Sequence, residues 1–579
     1  MSHNLSVEQK NILKLFEERN TRFLIPDYQR PYAWDNDECL TLWEDITSFA
    51  FPEDDFNQDD EYFLGPIVIF KNDKGKLEVI DGQQRLITIL LILRAFYEVM
   101  KDYDNDDWCR EVRKSIGKCI WETNEQGEPY TALLKLETEV ATDDDRKILI
   151  KILREGTTDD NSSRYSKNYK LFQVQINDFI NENINLPEFC KKFTSLPFRL
   201  LNNCILLPIE AGNQNTALRI FSTLNDRGKS LSDSDIFKVQ LYKAFSADGK
   251  KDWFIERWKK LEALCEKIFT SLTHNITPMD ELFNRYMHYE RATQNIKSET
   301  KPGLRAFYSR ENYKLLRIDY ELVFSNLIML AEFWYSVYIQ DEERFSERVL
   351  KRLFVLKYAP NAAWTLITSV YFIHNSDSQG ALEEEKFYNF LGKITAFVWA
   401  STIVKKATMH NLLGPIYKEM INIVSNQEVT FANNKFDMDE LTDALRRYKF
   451  SGKTKITRSM LAWWMMSFRE QTLWEITPKL ETEHIHKMDR NITLENYNSL
   501  GNQTLLEEKV RNSLSSTQDF SVKRSYYSGI ASVRKPGTQI FEIQEISRKS
   551  SFNVKDINQR NKKILDSFIA FIEQNNLTK

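Results

Sequence analysis

The spacing of apolar and polar residues divides the chain into a strand-bearing start, a long helical middle and a mixed end. Residues 62–70 (YFLGPIVIF) and 77–80 (LEVI) are rich in β-branched and aromatic side chains and predict two strands. Between them, Lys71-Asn72-Asp73-Lys74-Gly75 has the chemistry of a hairpin turn. Residues 86–100 (LITILLILRAFYEVM) are too long and too apolar for another strand, so a buried helix follows. Upstream, residues 7–18 show amphipathic helical spacing with Ser6 as the cap, and residues 23–34 (FLIPDYQRPYAW) form an extended segment pinned by Pro26 and Pro31. From about residue 253 to 448, apolar positions recur at three and four, as in 253–272, 320–340 and 387–405, which predicts helices with aromatic cores. Residues 375–380 read as an exposed loop and 426–439 as a longer connection.

The strand-to-helix junction at Asp81-Gly82-Gln83-Gln84-Arg85 is the first place where this pattern implies chemistry. Gly82 permits close backbone approach or positive φ, the first amides of the helix carry partial positive charge, and Arg85 can grip phosphate oxygens with two donors. Asp81 could hold a metal or orient water. Alone, the same residues also fit a plain helix start, with Asp81 as cap and the glutamines satisfying loop backbone. Asp226-Arg227-Gly228-Lys229 is a second turn with two cations, followed by Ser232 as a helix cap. No GxxxxGK[ST] sequence occurs, so a nucleotide site here is not of P-loop type.

Composition adds local asymmetry. At 579 residues the chain exceeds a single core, and its net charge of −4 conceals eleven acids without a Lys or Arg over 35–61 and six cations without an acid over 446–458. A mean acidic balance therefore does not exclude nucleic acid. Six cysteines (Cys39, Cys109, Cys119, Cys190, Cys204, Cys265) show no CxxC spacing and predict reduced, packed thiols of a cytoplasmic protein, without a zinc site or disulfide frame. The N-terminus lacks a signal-peptide pattern, and the longest unbroken apolar runs fall far short of a membrane span. His274, His288, His374 and His410 stand without metal-ligand spacing.

IPDYQRPYAW, GPIVIF and VIDGQQRLITIL, followed in order by RYSKNY at 164–169 and by FSTLNDRGKSLS leading into DIFK at 221–238, resemble the DUF262 family, the N-terminal part of GmrSD-type modification-dependent restriction proteins. The resemblance implies a ParB-like and sulfiredoxin-like core that binds and hydrolyses nucleoside triphosphate, GTP or ATP. It carries nucleotide contacts onto Gln29, Arg30, Asp81, Gly82, Gln83, Gln84 and Arg85, and further onto Asn168, Asn225 and Arg227.

The basic segment 446–458, RRYKFSGKTKITR, interleaves cations with aromatics and suits either a phosphate backbone, through Lys453, Lys455 and Arg458, or a solvated linker. Beyond it, Glu481-Thr482-Glu483-His484-Ile485-His486 precedes LGNQTLL at 500–506, Asn512 and Lys523, an order that resembles an HNH nuclease. In that likeness His484 is the base, Asn502 fixes its ring, and Glu483 with Asn512 holds Mg²⁺ or Mn²⁺; Lys523 is a further DNA contact. The surrounding segment to the final helix resembles the DUF1524 family, the C-terminal partner of DUF262, although His486 and Lys487 stand where that family has an apolar residue and proline. From Gly501 onward thirteen Lys and Arg oppose eight Asp and Glu, a net of +5 that is compatible with DNA.

The expected fold is α+β and predominantly helical: a nucleotide-binding and sensing domain over 1–245, a helical connector over 246–450, and an HNH nuclease domain (ββα-metal) over 451–579. The implied function is a nucleotide-hydrolysing, metal-dependent DNA endonuclease or nickase in defence against foreign, modified phage DNA. Its expected partners are double-stranded DNA and nucleoside triphosphate, with no membrane and with homo-oligomerisation left open. A regulatory DNA-binding protein with a vestigial nuclease site, and an RNA-directed nuclease, are the alternatives.

Overall fold

The computed structural model describes residues 5–52, 57–140, 143–214, 216–217, 220, 232–270, 276–296, 303–309, 315–316, 318–451, 454–473, 480–515, 517–529 and 537–579. Two compact units, Met1–Ile255 and Glu256–Lys579, divide the chain within the helix Lys251–Ile268. The fold class is the expected one, α+β with helix predominant.

The strands of the first unit are β1 (Ser6–Val7), β2 (Lys10–Asn11), β3 (Phe23–Ile25), β4 (Tyr62–Lys71), β5 (Leu77–Asp81), β6 (Trp121–Thr123), β7 (Pro129–Leu134), β8 (Leu136–Thr138) and β9 (Cys204–Ala211). Seven of them form one mixed sheet in the order β1-β9-β4-β5-β3-β8, with β2 also on β9, while β6 and β7 pair separately. β4 and β5 make the expected antiparallel hairpin, and β4 runs parallel to β9 from Tyr62 opposite Cys204 to Phe70 opposite Ala211. The two-residue period of β4 sorts its side chains. Ile67 and Ile69 enter the large core beneath the helices, whereas Val68 and Phe70 join Tyr28, Ile80 and Val239 in a small core on the other face.

The helices around this sheet are α1 (Ile12–Glu17), α2 (Asn36–Ala50), α3 (Gln83–Val99), α4 (Asp107–Ile120), α5 (Asp143–Glu155), α6 (Arg164–Asn183) and α7 (Phe189–Asn202). α3 is buried from Leu86 to Phe96, as its apolar run requires. α1 departs from expectation. It does not begin at Ser6: residues 6–11 pair with β9, Ser6 opposite Glu210 and Lys10 opposite Leu206, and the cap falls to Asn11, whose side chain accepts a hydrogen bond from Lys14 N at 2.8 Å. An open sheet edge satisfies those backbone groups and overrides a weak local helical preference.

The second unit is helical up to Met466 and then carries a hairpin, β10 (Leu480–His484) against β11 (Gln503–Glu507), with Glu483 opposite Thr504 and His484 opposite Gln503. The final helix, Val554–Gln574, backs this region, and Trp463 of the helix Lys455–Met466 meets its Phe568 edge-to-face at 5.0 Å. Among the described residues the helix Tyr320–Ile339 is long and apolar enough to cross a membrane, which unbroken-run length overlooks because Glu321 and Glu332 interrupt it. Half of its apolar window is buried inside the unit, where Phe324, Leu327, Leu330 and Phe333 pack as core.

Candidate functional site

β5 delivers Asp81 to the sheet end and α3 begins two residues later. Gly82 caps α3 with φ +90°, and a Cβ there would lie 2.5 Å from Ile67 Cγ2, so both the conformation and the space call for glycine. The Asp81 carboxylate accepts a hydrogen bond from the Gly82 amide and senses Arg85 and Arg30. Burial nevertheless pushes its pKa up and pulls that of Arg85 down. The Arg85 guanidinium packs against Gly65 and donates from Nη1 to Pro66 O at 3.1 Å. One acid and two arginines therefore meet at the amino end of a seventeen-residue helix.

The glutamines have more specific tasks. Gln84 Oε1 accepts from Ala33 N at 2.7 Å and from Trp34 N, and its Nε2 donates to Pro31 O at 3.1 Å, so this side chain is committed to the 31–34 backbone. Gln29 Nε2 donates to Ile80 O, and Gln29 Oε1 accepts from Gln83 Nε2 at 3.3 Å, while Gln83 Oε1 is buried without a partner. Asn168 on α6 donates to Tyr32 Oη and to Trp34 O. Tyr32 in turn stacks on Tyr165 with centroids 5.0 Å apart, beside a cavity of about 420 Å³ lined by Ser163, Arg164 and Lys167 among others. The FLIPDYQRPYAW segment is thus clamped between α3 and α6.

In the second unit, Lys523 Nζ donates to Glu483 Oε1 at 2.8 Å and to His484 O at 2.6 Å, with Lys523 wholly buried and Glu483 4% exposed. Arg511 Nε lies 3.5 Å from the other Glu483 oxygen. The His484 ring stacks on Tyr497 at 4.0 Å with planes 9° apart, and its Nε2 is buried without a hydrogen-bond partner. Burial holds this imidazole below the ordinary value of 6.5, with Glu483 opposing and Lys523 reinforcing the shift.

The hairpin end is braced from behind. Arg560 Nη1 donates to Leu500 O, Gly501 O and Gln503 O, while its Nε and Nη2 bind both oxygens of Glu542. A Cβ on Gly501 would fall 2.1 Å from Ile557 O, so the turn can approach the final helix only as glycine.

Residues 12–242 match the family model of the GmrSD restriction endonuclease N-terminal domain. Over those residues the chain is similar to the N-terminal domain of GmrSD-type restriction endonucleases. No curated protein matches the chain.

In this GmrSD-like N-terminal domain the structure brings Gln29, Arg30, Asp81, Gly82, Gln83 and Arg85 together, and holds Gln84 and Asn168 as braces of the 31–34 segment. Asn225, Arg227 and Lys453 lie outside the described residues.

Three expectations for the C-terminal region change. Asn502 does not hold the His484 ring: its Oδ1 accepts from His486 N at 2.7 Å and its Nδ2 donates to His486 O and Tyr497 O, which fixes the loop carrying the histidine's stacking partner. Lys523 is no surface DNA contact, because it is wholly buried on Glu483. Glu483 and Asn512 do not fit a divalent cation as they stand, since Lys523 and Arg511 already neutralise the glutamate and Asn512 is an exposed residue ending a four-residue helix.

His486 turns away, its Nδ1 donating to Lys487 O and its Nε2 3.8 Å from Asp489. Lys455 and Arg458 are exposed, one turn apart on the same helix. Tyr497 and Arg511 escaped sequence reasoning, because an aromatic in a short helix and an arginine beside an expected ligand carry no spacing signal.

Proposed function

We propose that this chain is a nucleotide-hydrolysing DNA endonuclease or nickase acting in defence against foreign, modified DNA. The restriction endonuclease description of its N-terminal domain supports DNA as the substrate. In the first unit, the Asp81–Arg85 turn takes the phosphates of GTP or ATP: Arg85 and Arg30 counter their charge, the free amides opening α3 face them, and Asp81 orients the attacking water. Gln84 and Asn168 are positioning residues that hold the segment bearing Gln29 and Arg30.

The observation that carries the nuclease reading is the buried, unpartnered Nε2 of His484. A histidine with a depressed pKa is neutral near pH 7, so once a local opening at the Tyr497 stack admits water to Nε2, its lone pair can take a proton from that water as the resulting hydroxide attacks a phosphodiester. Arg511, 39% exposed beside Glu483, is a cation able to face the phosphate. Lys455 and Arg458 contact the DNA backbone. The protein's own groups carry this step, because a divalent ion at Glu483 would first have to displace Lys523.

That same Glu483–Lys523 pair favours a second reading, a nucleotide-switched DNA-binding regulator whose nuclease site is vestigial. Incubating the full chain with duplex DNA and RNA, each with GTP or ATP, while recording phosphate release and strand scission, separates the readings. DNA scission supports the endonuclease. Phosphate release without scission of either polymer supports the regulator, and preferential RNA scission reassigns the substrate.

A further inference from the structure

Cys109 and Cys190 are 81 residues apart (190 − 109) and show no metal-ligand spacing, yet the fold brings them together. Cys109 is the third residue of α4 and Cys190 the second of α7, and the Asp106 carboxylate caps α4 between them. The ligand atoms of Asp106, Cys109 and Cys190 all lie within 4.8 Å of one another, and among the described residues theirs is the one group of three His, Cys, Asp or Glu ligands that does so. Tetrahedral zinc, with Zn–S near 2.3 Å and Zn–O near 2.1 Å, requires ligand separations of roughly 3.5–3.8 Å, which such a cluster can reach without backbone movement.

The electrostatics distinguish this cluster from Glu483. Among the described residues no Lys or Arg pairs with Asp106; its neighbours Asp104 and Asp107 take Arg113 and Arg110. Asp106 Oδ1 accepts from Cys109 N at 3.0 Å, and the carboxylate also takes hydrogen bonds from the Cys109 and Cys190 thiols, whose protons a bound ion would replace. Cys109 is fully buried, whereas Cys190 and Asp106 are half-exposed, so an ion can enter from solvent and keep one water-filled position. Two thiolates and one carboxylate select a borderline-soft ion over Mg²⁺.

We propose that Asp106, Cys109 and Cys190 bind one Zn²⁺ that fastens the start of α4 to the start of α7. The ion lies apart from the proposed nucleotide site: the cluster follows the far end of α3, and seventeen helical residues at a rise of 1.5 Å put about 25 Å between that end and the Asp81–Arg85 turn. Tyr103, packed on Phe189 at 5.4 Å and Phe193 at 5.5 Å, closes the apolar side of the joint. Binding releases the two thiol protons to solvent as the two metal–sulfur bonds form.

The test titrates the reduced, metal-stripped full chain with Co²⁺ and then Zn²⁺, reading the thiolate-to-cobalt charge-transfer band. This band is blind to oxygen and imidazole sites elsewhere. Wild type should give a band saturating at one Co²⁺ per chain and erased by Zn²⁺. Cys190→Ala should abolish it, and Asp106→Asn, which keeps the cap but loses the carboxylate charge, should weaken binding at least about tenfold. Circular dichroism confirms that both variants fold. No band in wild type, an unchanged band in Cys190→Ala, or a Cys109–Cys190 disulfide in the reduced preparation overturns the proposal.

Discussion

Lys523 and Glu483 form a buried ion pair at 2.8 Å directly beside His484. Removing one partner of such a pair strands a charge in low dielectric. Lys523→Met should therefore destabilise the second unit by about 3–5 kcal/mol, and Glu483→Gln in the same chain should restore most of the loss. Chemical denaturation of the single and double variants measures both. A loss below about 1 kcal/mol for Lys523→Met contradicts the burial of the pair.

On the proposed reading, His484 should set the acid limb of DNA cleavage. Its pKa lies below 6.5, and the base must be neutral, so activity should persist as pH falls through 6.5 and decline only when the depressed value is reached. A pH–rate profile over this range checks the sign. An acid limb centred above 6.5 contradicts the assignment of His484 as base.

Gly82 should tolerate no side chain. Its φ of +90° is strained for an L-residue, and the 2.5 Å approach of a Cβ to Ile67 forces β4 and α3 apart. Gly82→Ala should cost about 1–3 kcal/mol and abolish phosphate release. Thermal denaturation and a phosphate-release assay together report this, and wild-type hydrolysis in the variant contradicts the close approach.

Arg85 and Gln84 are adjacent but should fail differently. Arg85→Ala should abolish phosphate release while circular dichroism stays unchanged. Gln84→Ala removes three hydrogen bonds to the 31–34 backbone and should lower stability by about 1–3 kcal/mol. Equal stability losses with equal residual hydrolysis would contradict the division into a phosphate contact and a brace.

Much of this architecture is legible in the sequence because its signals are local. The β4–β5 hairpin follows from β-branched runs around an Asn-Asp-Lys-Gly turn, and α3 from a long apolar stretch. Where the sequence misleads, a long-range partner decides. Residues 6–11 leave their helix for the edge of β9, Asn502 gives its amide to the loop at 486 and 497, and Lys523 turns inward to Glu483. Cys109 and Cys190 likewise converge only through the packing of α4 on α7, which residue spacing does not encode.

The central claim is that His484 cuts DNA under nucleotide control. It is tested most directly on supercoiled plasmid, modified and unmodified, with Mg²⁺ and with or without GTP or ATP, comparing wild type with His484→Ala. The account predicts relaxed or linear plasmid with wild type, a yield that changes with nucleotide, and intact plasmid with His484→Ala. Intact plasmid with wild type under every nucleotide condition, or equal cutting by His484→Ala, would contradict it.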